Sequence, residues 1–200
     1  MNKMNVILAS KSPRRRQLLS YLFDDFEVVS PDVNEAINPG TSPEDAVSEI
    51  ACRKARAVVE GISDCFTVGA EYSRPLIIAA DTLVVLDGEF LGKPKDKDDA
   101  RRMLGNLSGR IHQVYTGVCV MSAESAKSIS FCEQTSVEFY PLSGAEINDY
   151  IATGEPMDKA GAYGIQEKGS LLVKRIDGDF YNVMGLPLGR LMRMIGLVRS

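Results

Sequence analysis

The chain is short of the residues that build metal and redox centres. It has one histidine, His112, and its cysteines, Cys52, Cys65, Cys119 and Cys132, form no C-x-x-C pair, so a zinc site has few ligands to draw on. Cys52 lies in a helical pattern and Cys119 in a strand pattern, which reads as buried free thiols in a reducing compartment. No run of about 18 apolar residues occurs, so no helix is expected to cross a membrane. The opening MNKMNVILASKSP lacks the apolar core of a secretory signal. These absences point to a soluble cytoplasmic protein with no membrane partner. An excess of basic charge is missing too. A formal net charge of −4 and a pI of about 5.2 disfavour a general nucleic-acid binder. There is no G-x-x-x-x-G-K-[ST], which excludes a P-loop kinase or ATPase. Repeats and low-complexity tracts are absent as well.

What the chain does have is a core and a local concentration of cations. With 44% hydrophobic residues, 200 residues suffice for a single domain, 1–200. The basic groups gather in one stretch, residues 6–19, VILASKSPRRRQLL, which suits a small anionic ligand. Val6–Ala9 reads as a short buried strand. Ser12 followed by Pro13 is a helix-start signal. The helix it opens carries Arg14, Arg15 and Arg16 in its first turn, against the partial positive charge already there. An outside anion explains three guanidinium groups at that point; a surface helix with a poor first turn is the alternative. Leu18, Leu19 and Leu22 set the buried stripe. At about 100° per residue Arg15 falls on its side, Arg14 on its flank and Arg16 farthest away.

Further along, Phe26–Ser30 reads as a strand and 31–42 as a loop containing Glu35. Thr41 or Ser42 caps a helix running to about Glu60. Lys54 lies almost at the centre of its apolar stripe, either snorkelling or reaching an anion, while Arg53 and Arg56 point outward. Residues 61–75 read as an excursion. Leu76–Leu86, LIIAADTLVVL, reads as a central strand interrupted by Asp81. A carboxylate there costs several kcal/mol unless paired, metal-bound or put to catalytic use. Thr82 points to the opposite face in a regular pleat. Asp87-Gly88 signals a hairpin, Lys93 follows in a turn, and Asp96 caps a helix to about Leu107. Residues 111–121 and 128–140 read as long strands. Ser143 and Glu146 form a capping box for helix 144–153, which Gly154 ends. The glycine-rich stretch 155–170 reads as a functional loop containing Asp158, Lys159 and Gln166. A strand at 171–176, a turn at Asp177-Gly178 and a helix at 187–198 complete the chain. The intermingling gives α/β with a mixed sheet.

Taken in order, ASKSPRRRQLL, AADT, GKP, LSGRIHQVYTGV, GEPMDKAGAYGIQ and GDFYNVMGLPL resemble the Maf family of nucleotide pyrophosphatases from residue 6 to about 190. The resemblance implies a strongly twisted mixed sheet flanked by helices, in two lobes around a central cleft, the Maf/ITPase-like fold. It implies cleavage between the α- and β-phosphates of a nucleoside triphosphate with help from Mg²⁺ or Mn²⁺. It places the proton acceptor at Asp81 and substrate contacts at Ser10, Arg14, Arg15, Glu35, Lys54 and Lys93. Asp81 and Glu35 are candidates to meet the metal, whose ligands are otherwise unassigned. The branch acting on dTTP and UTP carries Arg, Thr and Gln where this chain has Arg14, Thr82 and Gln166. A neutral Gln offers a donor and an acceptor to the imide edge of uracil or thymine. A cationic methylated guanine would instead call for stacking and a carboxylate. Glu167-Lys168 stands where the family shows a glycine after the Gln. The partner expected is a small-molecule nucleotide rather than nucleic acid, and a homodimer is left open. A non-catalytic nucleotide-binding regulator of cell division is the alternative.

Overall fold

The computed structural model describes residues 5–63, 75–125 and 127–199. Its strands form a seven-stranded mixed sheet: β1 (Val6–Ala9), β2 (Glu27–Val29), β3 (Leu76–Leu86), β4 (Glu89–Leu91), β5 (Ile111–Ser122), β6 (Ser128–Phe139) and β7 (Val173–Asp177). The order is β2-β1-β3-β5-β6-β7, with β4 paired to β3. β1 runs parallel to β2 and β3, while β3–β4 and β6–β7 are antiparallel. The α/β class with a mixed sheet, expected from the sequence, is what the chain forms.

The chain divides into two compact units. Met1–Asp81, Thr116–Cys132 and Gly185–Ser200 make the first, and Thr82–Tyr115 and Glu133–Met184 the second. In the first, α1 (Pro13–Leu19) follows β1, and α2 (Pro43–Ser63) packs an alanine- and valine-rich face on the sheet. Ala51, Ala55 and Val58 of α2 meet Ile7, Ala9, Ile77, Ala79 and Cys119 in one apolar cluster. Small residues bring the backbones close. A Cβ placed on Gly117 of β5 would lie 2.3 Å from the Val47 carbonyl carbon of α2, so only glycine fits there. The helix runs past Glu60 to Ser63; of the expected excursion at 61–75, residues 64–74 lie outside the described residues.

In the second unit, α3 (Lys97–Leu107) and α4 (Gly144–Ala152) bury Leu104, Leu107, Ile147 and Ile151 against Val114, Val137 and Phe139. Their N-termini form as the sequence predicts. Asp96 accepts from the amides of Asp98 and Asp99, and Ser143 and Glu146 cap each other reciprocally. Two expectations are corrected. The stretch 155–170 is no open loop, since 3₁₀ turns form at Glu155–Asp158, Ala160–Ala162 and Glu167–Leu171. A short helix, α5 (Phe180–Met184), precedes the last helix, α6 (Leu188–Arg199). Turns this short carry no hydrophobic period, so pattern reading passes over them.

Candidate active site

In the first unit, β1 delivers the chain to Ser10, which is buried. Its hydroxyl accepts from the Ser12 amide at 3.2 Å and from Arg15 Nη1 at 3.4 Å. Ser12 caps α1 by accepting from the Arg15 amide. Arg15 Nε also donates to the Gly185 carbonyl at 2.8 Å, so its guanidinium is held at two points. Burial lowers its pKa; Asp81 opposes that, Arg14 adds to it, and Glu35 opposes it more weakly. Asp81, Arg14 and Glu35 thus all act on this one guanidinium. As the helix geometry predicts, Arg14 and Arg15 are half-buried and Arg16 is exposed.

Lys54 is the junction of the site. It is buried on the apolar face of α2, yet its ammonium lies 2.7 Å from Asp81 Oδ1 and 2.7 Å from Glu35 Oε1. The ammonium, read from the sequence as snorkelling or reaching an anion in a cleft, ends on two of the protein's own carboxylates. The Asp81 side chain is 13% exposed and that of Glu35 60%. The Asp81 contact is therefore the one that offsets a substantial desolvation cost, while the Glu35 contact is screened by water. A paired Asp81 explains how β3 tolerates a carboxylate in an apolar run.

Glu35 has no periodicity to mark it, and its position depends on groups the sequence left unranked. Arg53, expected merely to point outward, donates to the Asn34 carbonyl and, at 3.4 Å, to the Ala36 carbonyl. The Asn34 side chain accepts from the Ala36 amide at 2.8 Å. Arg53 thus grips both sides of Glu35. Gly185 was likewise missed as the acceptor for Arg15; its signals are the motif GDFYNVMGLPL and a backbone φ of +107°. Lys54, Arg14 and Arg15 outnumber Glu35 and Asp81 within this cluster, a local surplus of cation suited to a polyanion.

The second unit carries Thr82, Lys93 and Gln166. Thr82 follows Asp81 on β3 and is half-buried, and Lys93 is exposed. The Gly161 amide donates to the Gly92 carbonyl at 3.0 Å, tying the Lys93 turn to the glycine-rich stretch. That stretch is pinned on both sides of Gln166. The Gly164 amide donates to the Tyr150 hydroxyl at 3.1 Å. A Cβ on Gly169 would lie 2.1 Å from the Gly164 carbonyl oxygen. Buried His112 Nε2 meets the Tyr163 hydroxyl at 2.7 Å. Desolvation pushes His112 down to about 4 and Tyr163 upward. Glu167 has φ +53°, the left-handed region where a side chain is strained and glycine is not. The glycine expected there from the resemblance is the residue this backbone favours.

The carboxylates Asp81 and Glu35 converge on one cation. Among the described residues no group of three His, Cys, Asp or Glu side chains converges on one point. Two carboxylates fit a Mg²⁺-type ion that keeps several waters and takes its remaining ligands from phosphate.

Comparison with known proteins adds a family. The family described as Maf-like protein matches residues 5–198. The chain is 48% identical over 190 residues to a dTTP/UTP pyrophosphatase of Bacillus velezensis, covering 95% of this chain and 94% of the relative. It is 48% identical over 194 residues to one of Dictyoglomus turgidum, covering 96% and 95%. Among solved structures, the Staphylococcus aureus Ham1 protein superposes with a TM-score of 0.51 at 18% identity, covering 94% of this chain and 98% of that one. At that identity the likeness concerns fold alone.

Proposed function

The chain belongs to the Maf family, and on that footing we propose that it is a nucleoside triphosphate pyrophosphatase that hydrolyses dTTP and UTP to the monophosphate and diphosphate. One structural observation carries the reading: a buried ammonium, Lys54, bridges Asp81 and Glu35 at 2.7 Å each, in the unit that also presents Arg14 and Arg15. A purely structural lysine has no need of two carboxylates, and a pure phosphate binder gains little from Asp81.

The chemistry follows from these groups. Lys54, Arg14 and Arg15 neutralise the triphosphate, and Ser10 and the Gly185 carbonyl keep the Arg15 fork aimed. Lys93 is assigned to the phosphates by resemblance. Arrival of a phosphate draws the Lys54 ammonium off Asp81 and frees a carboxylate oxygen. Asp81 then orients a water and takes its proton as the water oxygen attacks the α-phosphorus. The bond from the α-phosphorus to its bridging oxygen breaks, and pyrophosphate leaves with the electron pair. Positioning and charge neutralisation supply most of the rate. A Mg²⁺ or Mn²⁺ ion arriving with the nucleotide would be held by Asp81 and Glu35 and would offset charge on the phosphate oxygens. Arg14, Thr82 and Gln166 set the preference for neutral pyrimidines, the Gln166 amide matching a donor–acceptor imide edge. The reading places the enzyme in the cytoplasm, acting on free nucleotides.

The test is a panel of common nucleoside triphosphates incubated with Mg²⁺, with products separated by anion exchange. Equimolar monophosphate and pyrophosphate, formed fastest from dTTP and UTP, is the expected result. Orthophosphate release, or tight binding of dTTP without turnover, overturns it; the second outcome would describe a nucleotide-binding regulator.

A further inference from the structure

Outside the proposed site the first unit holds a pair of thiols that the hydrolytic reading does not use. Cys52 lies on α2 and is half-buried, and Cys119 lies on β5 and is fully buried. Both belong to the apolar cluster between α2 and the sheet. Their meeting follows from the close approach at Gly117, whose missing Cβ would fall 2.3 Å from Val47 and 2.6 Å from the Ser48 amide. Cys52 lies one turn beyond Ser48, about 6 Å along the helix. Cys119 lies two residues beyond Gly117 on the same face of β5, about 7 Å along the strand. Cys52 packs against the apolar cluster in which Cys119 is buried, so the two thiols share one interface between α2 and β5.

We propose that Cys52 and Cys119 form a redox-active dithiol that a hydroperoxide closes to a disulfide between α2 and β5. In the first step the Cys52 thiolate attacks a peroxide oxygen. The O–O bond breaks, and hydroxide leaves and is protonated to water, leaving Cys52 as the sulfenic acid. In the second, the Cys119 sulfur attacks the Cys52 sulfur. The S–O bond breaks, and hydroxide departs as a second water with the Cys119 proton. Two thiols and one hydrogen peroxide give one disulfide and two waters.

The surroundings divide the roles. Cys52 is brought down to about 6, chiefly by the hydrogen bond with Cys119; burial opposes, Ser130 and Arg56 reinforce, and Glu49 opposes weakly. The same hydrogen bond, together with burial, pushes Cys119 up, so it holds its proton and donates. An accessible thiolate beside a buried resolving thiol is the arrangement of a peroxide-sensitive cysteine. The disulfide would restrain α2 two residues before Lys54.

The experiment treats the full-length protein with hydrogen peroxide, blocks remaining thiols with N-ethylmaleimide and maps non-reduced tryptic peptides by mass spectrometry. Cys52→Ala and Cys119→Ala are run beside it, each checked for unchanged dTTP turnover before oxidation. The expected result is loss of two hydrogens and a single cross-linked peptide joining Cys52 to Cys119, reversed by dithiothreitol and absent from both variants. In Cys119→Ser, whose hydroxyl still donates to the Cys52 thiolate but cannot form a disulfide, the sulfenic acid persists on Cys52 and is captured by dimedone. Cys52 alkylated as readily as Cys132 after peroxide, or a bridge that joins Cys65 or Cys132 instead, overturns the proposal.

Discussion

His112 is the only imidazole in the chain, and its environment makes a quantitative prediction. It is fully buried, its Nε2 meets the Tyr163 hydroxyl, and its Nδ1 has no hydrogen-bond partner among the described residues. Desolvation lowers it from 6.5 to about 4. As pH falls below 6.5 the unfolded chain takes up this proton first, and the folded chain follows only near 4. The stability due to a neutral His112 is therefore complete above 6.5 and lost progressively between 6.5 and 4. Integrated over that window, the loss is about 3 kcal/mol. Cys52, at about 6 against an ordinary 9.0, acts mainly in the higher window and is shared by any His112 variant. Urea unfolding followed by far-UV circular dichroism, at intervals from pH 4 to 8, measures the slope in wild type and in His112→Gln. The wild type should lose about 3 kcal/mol more than the variant across the acid window. A single imidazole proton resonance should titrate near 4 in the folded protein. Parallel stability profiles, or a resonance titrating near 6.5, would refute the reasoning.

Other substitutions probe the site and the frame that holds it. Lys54→Gln should lower dTTP turnover by about two orders of magnitude, because it removes the cation nearest Asp81; steady-state pyrophosphate release measures this. Gln166→Glu should reduce kcat/KM for UTP by about tenfold or more, as a donor facing the imide edge is lost; unchanged UTP selectivity would remove Gln166 from recognition. Gly117→Ala should destabilise the fold by about 1–3 kcal/mol in thermal unfolding, since its Cβ meets backbone rather than a yielding side chain. Glu167→Gly should stabilise by about 1 kcal/mol through relief of the left-handed backbone.

Much of this was legible in the chain because it is local. Ser12-Pro13, Asp96 and the Ser143–Glu146 box announce helix starts through hydrogen bonds that span three residues or fewer. LIIAADTLVVL announces a buried strand and, by its one carboxylate, a group needing a partner. Helical phase alone separated Arg15 from Arg16 and placed Lys54 on the buried face. What was not legible is who meets whom across long separations. Nothing in Asn34-Glu35-Ala36 says that Arg53 grips its carbonyls or that Glu35 shares an ammonium with Asp81. The Arg15–Gly185 bond joins opposite ends of the chain, and no periodicity encodes it. The turns of 155–171 and α5 are shorter than the windows in which a hydrophobic period can be recognised.

The most direct measurement compares wild type and Asp81→Asn for dTTP binding by calorimetry and for release of thymidine monophosphate and pyrophosphate with Mg²⁺ present. The account predicts that the variant folds and still binds dTTP, while turnover falls by about two orders of magnitude or more. Turnover within a few-fold of wild type would contradict it, because the carboxylate that Lys54 holds would then have no part in the reaction.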